Sequence, residues 1–303
     1  MSSSQSRPYV AITGSSGMIG TALTEALLRD GVRVMRLVRR SPHSADEVPW
    51  TPGEDLDPVL LRGVSAVVNL AGAPVADRRW THRYMNEIRA SRLAATTTIA
   101  TAISRMEHPP RVLLSQSGIG FYGPTGDRAV AEDGPKGTGY FCDVVEDWEA
   151  AADPARAAGV RVVHPRTGII LSSRGGALQR MLPLFRFGLG GRLGSGRQYW
   201  SWISLRDDVR ALRHLMDSTL DGPVNVTAEK AATNAEITRA LASALHRPAI
   251  LPAPGFALRL VIGPFASEVL SSIRVRPDAL ARDGFTCADS TLAEAITTAR
   301  SGM

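Results

Sequence analysis

Apolar residues along the first half of the chain follow two alternating rhythms. Short apolar stretches fall at Tyr9–Thr13, Val32–Val38, Ser65–Ala71, Arg111–Ser115 and Val160–His164. The Ser65–Ala71 stretch is nearly continuous, as in a strand buried on both faces of a parallel sheet. Between these stretches, Gly17–Asp30, Arg83–Ser104 and Asp143–Ala158 space their apolar residues as helices do. In the first of these, Ile19, Leu23, Ala26 and Leu27 share one face. Gly31 ends it, and Pro109-Pro110 breaks the next. Strands alternating with helices predict an α/β fold with a doubly wound parallel sheet.

Beyond Pro165 the rhythm loosens. A glycine-dense segment, Gly188 to Gly196, suits either a close approach of backbone to a ligand or a surface connection. A helix over Arg206–Leu220, a late strand over Pro223–Thr227 and a helix over Asn234–Leu245 follow, the last capped by Thr233 or Asn234. Pro248, Pro252 and Pro254 then lead into a short region carrying Phe256, Leu258, Leu260, Val261, Ile262, Phe265, Val269 and Leu270.

Composition narrows the class. With 303 residues, 44% hydrophobic and 21% charged, the chain has the makeup of a globular protein. No run reaches the roughly 18 apolar residues of a membrane helix, so no membrane association is expected. Met1–Arg7 is polar and Ser-rich, without the apolar core of a secretory signal. Cys142 and Cys287 lack metal or redox spacing, which predicts no metal site and fits a cytoplasmic location. The net charge is +6, but the arginines are spread along the whole chain and only Lys136 and Lys230 are lysines. Nucleic-acid binding is therefore not expected, and the excess favours an anionic small ligand.

Gly14, Gly17 and Gly20 open a helix directly after the first strand. In that context the spacing is the phosphate-binding turn of a Rossmann fold. The three glycines give a tight turn, a close approach of backbone to a pyrophosphate, and close packing of helix on strand. The helix start offers unpaired N–H groups, and Ser15 and Ser16 add hydroxyls. NAD-selective members carry a carboxylate at the tip of the second strand. Here the strand ends in Val38-Arg39-Arg40-Ser41. A guanidinium suits a 2′-phosphate, so NADP(H) is the predicted cofactor.

Other stretches carry a resemblance. They are Asn69-Leu70-Ala71-Gly72, Arg79-Trp80-Thr81, Ser91-Arg92, Phe121-Tyr122-Gly123, Trp148-Glu149 and Arg166-Thr167-Gly168. The longest runs from Leu182 through the glycine-dense segment to Gln198, then Trp202-Ile203 and Asp207. Over about Tyr9 to Ile296 the chain resembles the epimerase-like branch of extended short-chain dehydrogenases that ends in a small C-terminal domain of unknown function. The resemblance implies a dinucleotide site at Gly14 to Ile19 (Met18 included), Arg39, Leu70, Ala71, Glu87, Arg92 and Arg166. Arg40, Gly72 and Ser115 are adjoining candidates. Arg197, Tyr199 and Trp202 would line the substrate cavity, beside Trp200. The division expected is a disordered tail over 1–7, a Rossmann core with substrate-lobe insertions over 8–246, and a smaller helical C-terminal lobe over 247–303. That lobe would complete the substrate site or form a subunit contact, and the oligomeric state stays open.

Short-chain dehydrogenases usually transfer a proton through Tyr-x-x-x-Lys. Aligned on Trp148-Glu149, this chain has Phe141 and Val145 there, an apolar pair. Ser117, Tyr122 and Tyr140 are the remaining candidates for acid or base. Two readings follow. One is an NADP(H)-dependent oxidoreductase or epimerase with an unconventional acid/base group, acting on a small anionic molecule. The other is a catalytically silent NADP(H)-binding regulatory or scaffolding module.

Overall fold

The computed structural model describes residues 9–301, so the tail expected over 1–7 lies outside the described residues. The first half lays down β1 (Tyr9–Thr13), α1 (Met18–Arg29), β2 (Arg33–Val38), β3 (Glu47–Pro49), β4 (Ala66–Asn69) and α2 (His82–Ser104). Next come β5 (Val112–Ser115), β6 (Ser117–Gly118), β7 (Ala129–Val130), α3 (Tyr140–Ala150), α4 (Asp153–Ala157), β8 (Arg161–Thr167) and β9 (Ile169–Leu171). The chain continues through α5 (Gly176–Arg186), β10 (Tyr199–Trp200), β11 (Trp202–Ser204), α6 (Leu205–Asp217), β12 (Gly222–Val226), β13 (Ala232–Thr233) and α7 (Asn234–Leu245). It ends with α8 (Gly255–Ile262), α9 (Phe265–Leu270), β14 (Arg274–Val275), α10 (Asp278–Arg282) and α11 (Leu292–Arg300).

The main sheet is parallel, in the order β12-β8-β5-β4-β1-β2-β3, with β6 also on β8. The order reverses at β1, so the crevice beyond the strand ends opens between β1 and β4, where open sheets bind ligands. One face of the sheet packs Val10, Ile12 and Val68 against Leu23 and Leu27 of α1 and Leu212 and Leu215 of α6. The other packs Ala11, Val67 and Leu113 against Ile99 and Ile103 of α2 and Ala155 of α4. Both faces being covered explains why these strands read as apolar runs. The single helix expected over Asp143–Ala158 divides at Ala151–Ala152, with Pro154 in the first turn of α4, where its missing N–H costs nothing.

A second cluster lies beside the sheet. Leu178, Leu182 and Phe185 of α5 meet Trp200, Trp202, Ile237 and Leu241, together with Ile296 and Ala299 of α11. The final segment is thus woven into the body. α11 packs in this cluster, Ala279 and Leu280 of α10 join the sheet core, and β14 pairs with β7. Glu132 fastens α10 to β12, its carboxylate accepting N–H bonds from Asn225 and Ala279, both 3.1 Å. Asp207 likewise accepts the N–H groups of Ala288 and Asp289, at 2.9 and 2.8 Å.

Asp208, fully buried on α6, has only the Thr167 hydroxyl as partner among the described residues, at 3.3 Å. Burial pushes its carboxyl up to about 7. A raised folded-state pKa gives stability that is complete below the ordinary aspartate value of about 3.9 and declines as pH rises toward 7. The Asp208 contribution to the unfolding free energy is therefore expected to fall between pH 4 and 7 and then level. Asp208→Asn should flatten that slope in urea titrations at pH 5 and pH 8. An unchanged slope would show that Asp208 is ionised throughout.

Candidate functional site

The turn after β1 is built on backbone proximity. Gly14 has φ +64°, and a Cβ there would lie 2.7 Å from the Leu70 carbonyl oxygen. A Cβ on Gly20 would be inside contact distance of the Gly14 carbonyl and 2.7 Å from Ser15 Cα. Among the described residues no side chain caps α1, so its first-turn N–H groups have no side-chain acceptor. Ile19 lines the cavity beyond, while the Met18 side chain faces Gly175. Across the crevice, the Thr13 hydroxyl donates to Asn69 Oδ1 at 2.6 Å and accepts the N–H groups of Leu70 and Ala71. Asn69 and the Trp148 indole both donate to the Thr96 hydroxyl. This buried chain fixes β1, β4, α2 and α3 around one opening.

At the tip of β2 the two arginines differ. Arg40, expected to share a phosphate with Arg39, is forked onto Glu47 with two bonds of 2.7 Å. Hydrogen bonds from Arg40 and the His43 N–H hold Glu47 down to about 2. Arg39 is exposed and has no side-chain partner among the described residues.

The crevice opens into a cavity of about 800 Å³. Leu70, Ala71, Gly72 and Arg92 line one end, together with Gln116 and Ser117. Arg92 is buried, stacks 4.9 Å from the Trp148 ring, and among the described residues donates only to the carbonyls of Ala73 and Ile88. Burial brings its pKa down to about 10, so it remains a cation at neutral pH. The other end is apolar, walled by Ile169, Met181, Trp200, Leu258, Ile262, Phe265 and Val269. Arg79 stands at this cavity exposed and without an ion pair among the described residues, whereas Arg78 lies 3.9 Å from Glu87 and Arg180 pairs with Asp77 at 2.9 Å.

Several expected site residues lie elsewhere. Glu87 is exposed outside the cavity wall, and Ser115 is wholly buried in β5 with its hydroxyl unpartnered. Arg166 is paired inside the fold. Its guanidinium forks onto Glu149, at 2.8 and 2.7 Å, and covers the Phe121 ring at 3.5 Å. Tyr122 is buried, donating to Asn225 Oδ1 and accepting from Arg166. Tyr140 donates to the Met85 carbonyl, and burial raises both phenols above their usual range. Only Ser117 of the three acid/base candidates borders the cavity, and it donates to Glu149 at 2.6 Å. Arg197 is exposed and outside the cavity wall, and Trp202 is packed into the second cluster. Tyr199 and Trp200 do line the cavity. Sequence reasoning passed over Gln116, Thr167 and Glu268, which line it too. A single carboxylate inside the apolar run Phe265–Leu270 was the available signal for Glu268.

A reversal of strand order at a glycine turn, opening on a cavity under a helical lobe, defines a Rossmann protein of the dehydrogenase and epimerase class. The chain belongs to the NAD dependent epimerase/dehydratase family, whose profile matches residues 10–228. A second profile, a domain of unknown function (DUF1731), matches residues 253–299. An epimerase family protein of Mycobacterium bovis is 46% identical over 95% of this chain and 96% of its own length. The crystal structure of human epimerase family protein SDR39U1 (isoform 2) with NADPH superposes with a TM-score of 0.89 at 32% identity, covering 97% of this chain and all of that one. A nucleoside-diphosphate sugar epimerase from Corynebacterium glutamicum gives 0.80 at 32% identity, over 96% of this chain and 58% of that one.

Proposed function

We propose that this chain binds NADP(H) and uses it as an oxidoreductase or epimerase on a small molecule. The observation that carries the cofactor choice is Arg39, exposed and unpaired at the β2 tip while its neighbour Arg40 is held by Glu47. The residues fit the cofactor. Gly14 and Gly20 leave space no side chain could share, and Gly17 with Ser15, Ser16, Met18 and Ile19 presents the helix start. Leu70, Ala71 and Gly72 would flank the dinucleotide, and Arg92 is a buried cation with no carboxylate of its own. The NADPH in the human relative supports the same reading. When bound, the cofactor supplies or takes a hydride.

The apolar end of the cavity would hold the body of the substrate, beside Tyr199 and Trp200. Arg79 would meet an anionic end, as an unpaired cation at the same cavity. One observation favours the silent binding module instead: Tyr122 and Tyr140 are tied into the interior and Ser117 is committed to Glu149.

The test is calorimetric titration with NADPH and NADH. NADPH is expected to bind more tightly, and Arg39→Asp should lower its affinity by at least about tenfold, or 1.4 kcal/mol, while leaving NADH nearly unaffected. Equal affinities in the wild type, unchanged by the substitution, would remove Arg39 from the site.

A further inference from the structure

Two carboxyl groups line the cavity: Asp77, which is paired with Arg180, and Glu268, which has no partner among the described residues. Glu268 lies on α9 and lines the apolar end. Its carboxyl has neither a hydrogen bond nor an ion pair among the described residues. The helix is well anchored. Ala266 is fully buried, the Val269 carbonyl accepts the Trp200 indole N–H at 3.1 Å, and the Ser267 hydroxyl donates to the Pro264 carbonyl at 2.6 Å. One turn before Glu268, Phe265 stacks on Trp80 with ring centroids 5.1 Å apart. Trp80 in turn lies 5.3 Å from Phe141, the residue standing where the usual tyrosine would be. The carboxyl therefore opens on the same cavity that Phe141 lines.

We propose that Glu268 is the acid/base group of this cavity, serving a neutral carbonyl or alcohol carbon rather than a charged centre. The inference rests on the oxidoreductase reading above. Burial raises the Glu268 pKa above the usual carboxylate range, and a protonated carboxyl at this position would be the donor for a reduction. In the reductive direction, the reduced dinucleotide gives a hydride to the carbonyl carbon. Glu268 gives its proton to the oxygen, and the C=O π bond is replaced by one C–H and one O–H bond. The oxidised dinucleotide leaves, and the Glu268 carboxylate regains a proton from water. Oxidation runs the same path backward. The group comes from the C-terminal segment and not from the Rossmann core, where short-chain dehydrogenases place theirs.

The groups around Glu268 are few. Cys142 on α3 has its thiol raised by burial and by the Glu268 charge. Lys136 is engaged by Asp143 and Glu146, at 2.8 and 2.5 Å. Arg79 lies along Gly263, just before α9.

The test uses dicyclohexylcarbodiimide, an apolar reagent that reacts with protonated carboxyls. At pH 7 the peptide carrying Glu268 is expected to gain the label ahead of the exposed carboxylates, at a rate that falls as pH rises. In parallel, NADPH oxidation is followed with 9,10-phenanthrenequinone as the carbonyl probe. Glu268→Gln should lower kcat by at least about a hundredfold with NADPH affinity unchanged, and Glu268→Asp should restore part of it. A Glu268 that resists the reagent overturns the proposal, as does a glutamine variant with wild-type kcat. Where the wild type leaves the probe unreduced, the labelling and its pH dependence decide alone. Calorimetry on the same samples keeps the two readings apart: absent NADPH binding removes the oxidoreductase, and absent labelling removes Glu268.

Discussion

Arg166→Ala is expected to destabilise the protein by about 3–5 kcal/mol, the cost of breaking a buried ion pair from one side. Arg166 is 3% exposed and Glu149 14% exposed. Removing the guanidinium strands a carboxylate in the interior with only the Ser117 hydroxyl as donor. It also uncovers the Phe121 ring and deprives the Tyr122 oxygen of its donor. The double variant Glu149→Gln with Arg166→Met should lose much less, because no unpaired charge remains. Urea unfolding at pH 7 measures both. A single-variant loss below about 1 kcal/mol, the scale of a surface pair, would mean that water reaches Glu149.

The second large effect concerns Gly20. Gly20→Val places carbon where the Gly14 carbonyl and Ser15 already stand. Because both are backbone, relief requires α1 to move away from the turn. NADPH affinity should drop by more than about a hundredfold, roughly 2.7 kcal/mol, and the melting temperature should fall as well. Gly31→Ala is the control. Gly31 has φ +73° but open space around it, so its cost is one of backbone strain alone, without effect on NADPH affinity. Equal losses of affinity in the two variants would mean that the turn is not where the dinucleotide binds.

The parts of this architecture that rest on local rules were legible in the sequence. β1 spans Tyr9–Thr13 and α7 spans Asn234–Leu245, as their patterns predicted, with Thr233 closing a capping box with Glu236. The glycine turn was readable because its geometry is imposed within seven residues. What escaped were pairings made at long range. Arg166 looked available next to a strand end, but Glu149, seventeen positions earlier, claims it. Arg40 looked equivalent to Arg39, yet a three-residue strand, β3, sets Glu47 beside one and not the other. Tyr122 and Tyr140 carried the right chemistry, and only the fold shows their hydroxyls tied to Asn225 and Met85. Arg197 neighbours Tyr199 in sequence, but it is exposed and lies outside the cavity wall.

The way the final segment is woven into the body also sets an order of events during synthesis. Every strand of the main sheet is complete at Val226, whereas α8 and α9, which close one wall of the cavity, begin only at Gly255. At about 5–20 residues per second, a nascent chain would carry a finished sheet and glycine turn for several seconds before α9 and α11 follow. During that interval the apolar flanks of α5, Trp200 and Trp202 have no cover from α11. Residues made after the sheet is complete therefore shield an apolar surface that the earlier part of the chain leaves open.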